Sequence, residues 1–331
     1  MAKTKQQNTS AAKSRKQQQN VGQKSNQSTS SRARSRNIRQ RAPRRRPWVL
    51  IGVVVLILAL IIGVFVLLSR QQSNGVGTQG QTDAVVLSMV STVKPAVLAQ
   101  VGTGGVQIQN ILQATPAGTP LLTGPTGKPQ FFYYGAEFCP YCAAQRWAVV
   151  VALSRFGTFT QLPETTSTSN DVFPNTATFT FYHSAYSSSY VDFVPLEAQD
   201  RDGHPLQTPT ADQQQLINQY NFTGYPSIDI ANRYLIRGPL FSPDVLTGLS
   251  QRDIASQLSD PSSRVAQNIL GSANYMTAAI CAATHNQPAS VCTAAPIPSI
   301  EQSLAHTALS SDGVQVATIP ESLAIETRRQ A

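Results

Sequence analysis

Twenty-two residues, Trp48 to Ser69, read WVLIGVVVLILALIIGVFVLLS without a single charge. At about 1.5 Å rise per residue, a helix of this length covers the roughly 30 Å hydrocarbon layer of a bilayer. The stretch is longer than a buried core helix needs. A cleaved signal peptide would be shorter, with a shorter leader and a small-x-small site before Arg70. We therefore expect a transmembrane helix over 48–69, with everything else on one side or the other.

Charge assigns the sides. Arg41, Arg44, Arg45 and Arg46 precede the span and only Arg70 follows closely. This asymmetry places the N-terminus in the cytoplasm and the C-terminal part outside it. Residues 1–46 hold 14 of the 26 Lys and Arg and no Asp or Glu, so the basic balance of the chain belongs to this tail. The tail is rich in Gln, Ser and Asn and has too little apolar surface to offset chain entropy, so 1–47 is expected to be disordered. It has no aromatic residue for base stacking, and nucleic acid is not an expected partner. Contact with anionic membrane lipid is.

Residues 70–83 are polar and Gly-rich, as a flexible linker is. A folded domain is expected over 84–293, with a loosely ordered, Pro-containing tail over 294–331. Within the domain, Gln130–Tyr134 is apolar on both faces, as a central strand is. Helices are expected over Ala84–Val93 (broken by Pro95), Cys142–Phe156, Ala211–Tyr220, Ser250–Leu258 and Ser263–Ala283. Further strands are expected over Thr176–Tyr182 and Tyr190–Leu196, with a hairpin joining Ser227–Ile230 to Tyr234–Ile236. Gly102–Lys128, punctuated by Gly and Pro, reads as loop-rich, with no strand singled out in it. This mixture implies an α/β or α+β domain.

The chemistry concentrates in Cys139-Pro140-Tyr141-Cys142, at a strand-to-helix junction. Free N–H groups in a helix's first turn, with the helix dipole, stabilise a thiolate. Cys139 at the helix entrance would attack, and Cys142, one turn in, would resolve. Pro140 suits the first helical position. Glu137 opposes thiolate formation, whereas Arg146 could favour it. The spacing also serves zinc sites and static disulfides, so three readings stand; the apolar flanks favour the redox dithiol. Cys281 and Cys292 bracket a short Pro-containing loop and are expected to form a structural disulfide in an oxidising compartment, with a catalytic shuttle pair as the alternative. His183, His204 and His306 show no ligand spacing, and no metal or organic cofactor is expected.

The segments GAEFCPYCAAQRWAVVVALSRFGTF (Gly135–Phe159), PNTATFTF (Pro174–Phe181), LQTPT (Leu206–Thr210), YMTAAIC (Tyr275–Cys281) and QPASVC (Gln287–Cys292) together resemble the domain of unknown function 929 family, from about Ala84 to Cys292. That resemblance implies a thioredoxin-like, membrane-anchored protein without a settled activity. Tyr225-Pro226, before an apolar strand, is similar to the proline loop of thioredoxin-like folds. There the proline is cis beside the dithiol, and the preceding residue offers backbone hydrogen bonds to substrate; this implies Tyr225 and Pro226 as substrate-binding residues. The C-P-Y-C run also resembles a glutaredoxin site. The chain departs from glutaredoxins in size, in its apolar span and in its long Phe159–Gln219 connection, and no glutathione-binding charge set can be placed. The expected function is a membrane-anchored, extracytoplasmic thiol–disulfide oxidoreductase acting on exported proteins with thiols or disulfides and an unidentified redox partner. The alternative is a surface binding module with a permanently oxidised Cys139–Cys142 pair.

Overall fold

The computed structural model describes residues 55–61, 63, 80–106 and 108–311, with backbone only for 306–311. Two units are distinguished, Met1–Val64 and Phe65–Ala331. Of the expected membrane segment, residues 55–61 and 63 are described, and they are helical; the rest of it, the tail 1–47 and the linker 70–79 lie outside the described residues. Among the described residues, no single helix is long and apolar enough to cross a membrane.

The second unit is a mixed α/β structure. Its elements run α1 (Ala84–Ser91), α2 (Pro95–Val101), β1 (Leu112–Ala114), β2 (Gln130–Gly135), α3 (Pro140–Ser154), β3 (Gly157–Gln161), β4 (Glu164–Thr166), β5 (Ala177–Phe179), β6 (Ala185–Ser188) and β7 (Asp192–Glu197). They continue with α4 (Ala211–Gln219), β8 (Ser227–Ile230), β9 (Tyr234–Arg237), a 3₁₀ turn at Pro243–Leu246, α5 (Gln251–Gln257), α6 (Arg264–Ala283), α7 (Ala289–Cys292) and α8 (Ile297–Ser311). The main sheet has the order β1-β9-β8-β2-β7. β2 pairs parallel with β7, Gln130 opposite Asp192, and antiparallel with β8, Phe131 opposite Ile230. β8, β9 and β1 continue antiparallel.

Alternation along β2 explains its central place. Phe131 and Tyr133 enter the large core with α3 and α6, whereas Phe132 enters a smaller cluster with Leu216, Ile217, Tyr220, Phe222 and Leu235. Side chains two apart share a face, so a strand apolar at every position has to be covered on both sides. α3 is enclosed so fully that every residue from Cys142 to Leu153 is buried. Its polar members find some partners inside: Gln145 accepts the Leu240 N–H at 2.9 Å, and Trp147 Nε1 donates to Ala177 O at 2.9 Å. α6 lies against the turn after α2, where Asn274 Nδ2 donates to the Leu98 and Gly102 carbonyls, closing the C-terminus of α2. A Cβ on Gly271 would stand 2.5 Å from Thr103 O, so this crossing requires glycine.

Four expectations need correction. Pro95 does not merely break a helix but opens a second one, as the first residue of α2. Gly102–Lys128 contains an edge strand, β1. The strand expected over Thr176–Tyr182 is only Ala177–Phe179; it is buried throughout and belongs to a separate pair with β4. The segment after Ala294, expected to be loose, forms α8 as far as Ser311, with Ile297, Ile300 and Leu304 buried. Pro296 and Pro298 were poor grounds for a loop, because a proline in a helix's first turn forfeits no intrahelical hydrogen bond. Residues 312–331 lie outside the described residues. At the other end, Gly80 N–H donates to Glu164 O (2.9 Å) and Glu164 N–H to Gln81 O (2.8 Å), so the last linker residues are tied to β4.

Candidate active site

β2 ends at Gly135, and four residues later Cys139 is the N-cap of α3, with φ −75° and ψ 119°. Its sulfur accepts the Cys142 N–H at 3.2 Å, the place an N-cap oxygen normally takes. Pro140 occupies the first turn without an N–H to satisfy. Cys139 is 6% exposed and Cys142 is fully buried; both are free thiols. The thiols are therefore unequal. Cys139 is held below the usual thiol range by the hydrogen bond from Cys142, aided by the Cys142 and Tyr141 N–H groups and by Arg146, against the opposing effect of burial. Burial pushes Cys142 well up, reinforced by its hydrogen bond to Cys139.

The Tyr225–Pro226 peptide bond is cis. The Tyr225 carbonyl lies 3.9 Å from Cys139 Sγ, a weak sulfur contact. The Tyr225 ring meets Tyr134 and Phe138 edge-on, with centroids 4.9 Å and 6.2 Å apart. Exposed Tyr141 meets Phe173 edge-on at 5.9 Å. Aromatic rings thus cluster on residues near Cys139 in sequence, Phe138 and Tyr141, and on Tyr225, whose carbonyl touches its sulfur.

Behind it lies a polar cluster. Arg146, one turn after Cys142, turns inward and grips Glu197 with two bonds, Nε to Oε1 at 2.9 Å and Nη2 to Oε2 at 2.7 Å. Nη2 also donates to Ala136 O at 2.8 Å, tying down the loop that leads to Cys139. Arg146 Nη1 and the Tyr133 hydroxyl are buried with no hydrogen-bond partner among the described residues. Glu137, two residues before Cys139, accepts a hydrogen bond from Thr180; burial raises its carboxyl.

Of the residues singled out in the sequence, the structure brings Cys139, Cys142 and Tyr225 together, with Pro226 adjoining. Cys281 and Cys292 are bonded to each other, S–S 2.00 Å and Cα–Cα 5.5 Å, joining the last turn of α6 to α7. Among the described residues, no three His, Cys, Asp or Glu side chains are grouped to hold a metal ion. Sequence reasoning missed Tyr133 and Glu197. Arg146 in a largely apolar helix is the one signal that could have pointed to a buried acid such as Glu197, but in the sequence it reads only as a neighbour favouring the thiolate.

No curated protein and no solved structure matches the chain. Residues 120–282, which include the dithiol and Tyr225-Pro226, match the family model described as Domain of unknown function (DUF929).

Proposed function

We propose that the chain is a membrane-anchored, extracytoplasmic thiol–disulfide oxidoreductase on a thioredoxin-like domain. The observation that carries the proposal is the placement of Cys139 Sγ: at a helix N-terminus, 3.2 Å from the Cys142 N–H and 3.9 Å from the Tyr225 carbonyl. The order β7-β2-β8-β9, with one parallel pair and the dithiol after β2, supports the fold reading. The uncharged Trp48–Ser69 stretch and the arginines before it support the anchor and its orientation. No metal or organic cofactor takes part in this reading.

In the reducing direction, the Cys139 thiolate attacks a substrate disulfide. One substrate thiolate leaves, and a mixed disulfide forms. Cys142 gives up its proton and attacks Cys139 Sγ, releasing the second substrate thiolate. The substrate gains two electrons and two protons, and Cys139–Cys142 becomes a disulfide. The oxidising direction reverses each step, and relative potentials decide between them. A partner dithiol or disulfide resets the pair.

The test is redox titration of the full-length chain, combined with Cys142→Ser in cells. A measurable Cys139–Cys142 equilibrium and mixed disulfides trapped on Cys139 are expected. A bond that resists reduction, with no trapped partner, leaves a non-enzymatic binding module instead.

A further inference from the structure

A cleft of about 520 Å³ is lined by Glu137, two residues before Cys139, and by Glu164, Thr180, Tyr182, His183 and Arg201 among others. Glu137 and Arg201 follow the ends of β2 and β7, the two parallel strands. In open α/β sheets such strand ends are where ligands bind.

The cleft's charges are unevenly committed. Arg201 is held by the wall: Nε donates to Thr166 Oγ1 (3.0 Å) and Ser167 O (3.1 Å), and Nη2 to Asn175 Oδ1 (2.6 Å). The carboxylates are held less: Glu137 takes one hydrogen bond, from Thr180. Neither Glu137 nor Glu164 has an ion-pair partner among the described residues. Glu164 is only 2% exposed, and its Oε1 has no hydrogen-bond partner among those residues. Burial raises both groups, Glu164 to about 7. Arg146 and Arg252 act on these carboxylates only from a distance, and an entering cation would supply a direct partner where attraction is weakly screened.

We propose that this cleft receives a lysine or arginine side chain of the polypeptide whose cysteine exchanges with Cys139. The proposal rests on the oxidoreductase reading and names its substrate class: cysteines with a basic residue nearby. Reach is adequate. Glu137 and Cys139 are two residues apart, at most about 7 Å between Cα atoms. An extended substrate rises about 3.3 Å per residue, so a basic residue two or three positions from its cysteine spans that distance.

The test uses the full-length chain in detergent and three disulfide-linked peptides, identical except for Lys, norleucine or Glu two positions from the cysteine. Exchange kcat/KM is expected to favour Lys over Glu by roughly ten-fold at low salt, less at high salt. In Glu137→Gln/Glu164→Gln that ratio falls toward one. Because the ratio is taken within each variant, a general change in dithiol reactivity cancels. If the double variant does not fold, Glu137→Gln alone, at a partly exposed position, serves. Equal rates, or a preference for Glu, with exchange proceeding would remove this site and leave the oxidoreductase reading standing. No exchange with any peptide would remove both.

Discussion

Arg146 and Glu197 form an ion pair fully withdrawn from solvent, with both side chains at 0% exposure and a closest approach of 2.7 Å. The pair joins the dithiol helix to the end of β7, across 51 residues of chain. Its value lies in what happens when one partner is removed: an uncompensated buried charge costs about 3–5 kcal/mol, whereas replacing both can be nearly neutral. Arg146→Met should therefore lose roughly that much in denaturant unfolding, and Arg146→Met/Glu197→Gln should regain a large part of it. A loss below about 1 kcal/mol in the single variant would mean that the charge is not confined as described.

The two thiols should titrate apart. Cys139 is held down first by the hydrogen bond from Cys142, and burial pushes Cys142 up. With iodoacetamide, Cys139 alone is expected to react, with a rate–pH midpoint below the ordinary thiol value of about 8.5. In Cys142→Ala the thiol donor is lost, so the midpoint should move upward. Mass-mapped labelling decides this: Cys142 reacting first, or a midpoint indifferent to Cys142→Ala, would overturn the assignment of roles.

What the sequence made legible was local. C-x-x-C needs only spacing, the Ala231-Asn232-Arg233 turn carries its hairpin between two short apolar runs, and β2 declares its burial by having no polar face. What it hid was either long-range or small. Nothing near Arg146 points to Glu197. A three-residue edge strand such as β1 is too short for any periodicity to register. Glu164 lies in a Thr-rich stretch and reads as surface until β5 and the end of the linker close around it. α8 was obscured because prolines were weighed as breakers and not as first-turn residues.

The Cys281–Cys292 bond closes a loop with a sequence separation of 11. Chain-entropy reasoning gives about 3 kcal/mol for a loop of that size. Cys281→Ala/Cys292→Ala should lower stability by about this amount and leave iodoacetamide reactivity at Cys139 unchanged once the protein is folded. A folded double variant that fails to exchange thiols with substrates would instead identify Cys281 and Cys292 as part of the electron path.

Asp229, in the middle of β8, gives the fold a pH dependence opposite to the usual one. It is fully buried. Its Oδ1 takes the Asn232 N–H at 2.8 Å, and its Oδ2 has no hydrogen-bond partner among the described residues. Burial raises its carboxyl from 3.8 to about 7. The folded chain therefore keeps a proton that the unfolded chain releases, and the associated stability is present below about pH 4 and lost as pH rises to about 7. At about 1.4 kcal/mol per unit, the ceiling of this effect is about 4 kcal/mol. Glu164, raised by burial to about 7, acts in the same direction over the same window. Asp229→Asn keeps an acceptor for Asn232 but cannot ionise. Its advantage over the parent chain should be near zero at pH 4 and grow to about 2 kcal/mol at pH 8, read as the difference between paired urea curves so that all other titrating groups cancel. An advantage that does not change with pH would mean that Asp229 is ionised in the folded protein throughout, with a counter-charge or water supplying what its Oδ2 needs.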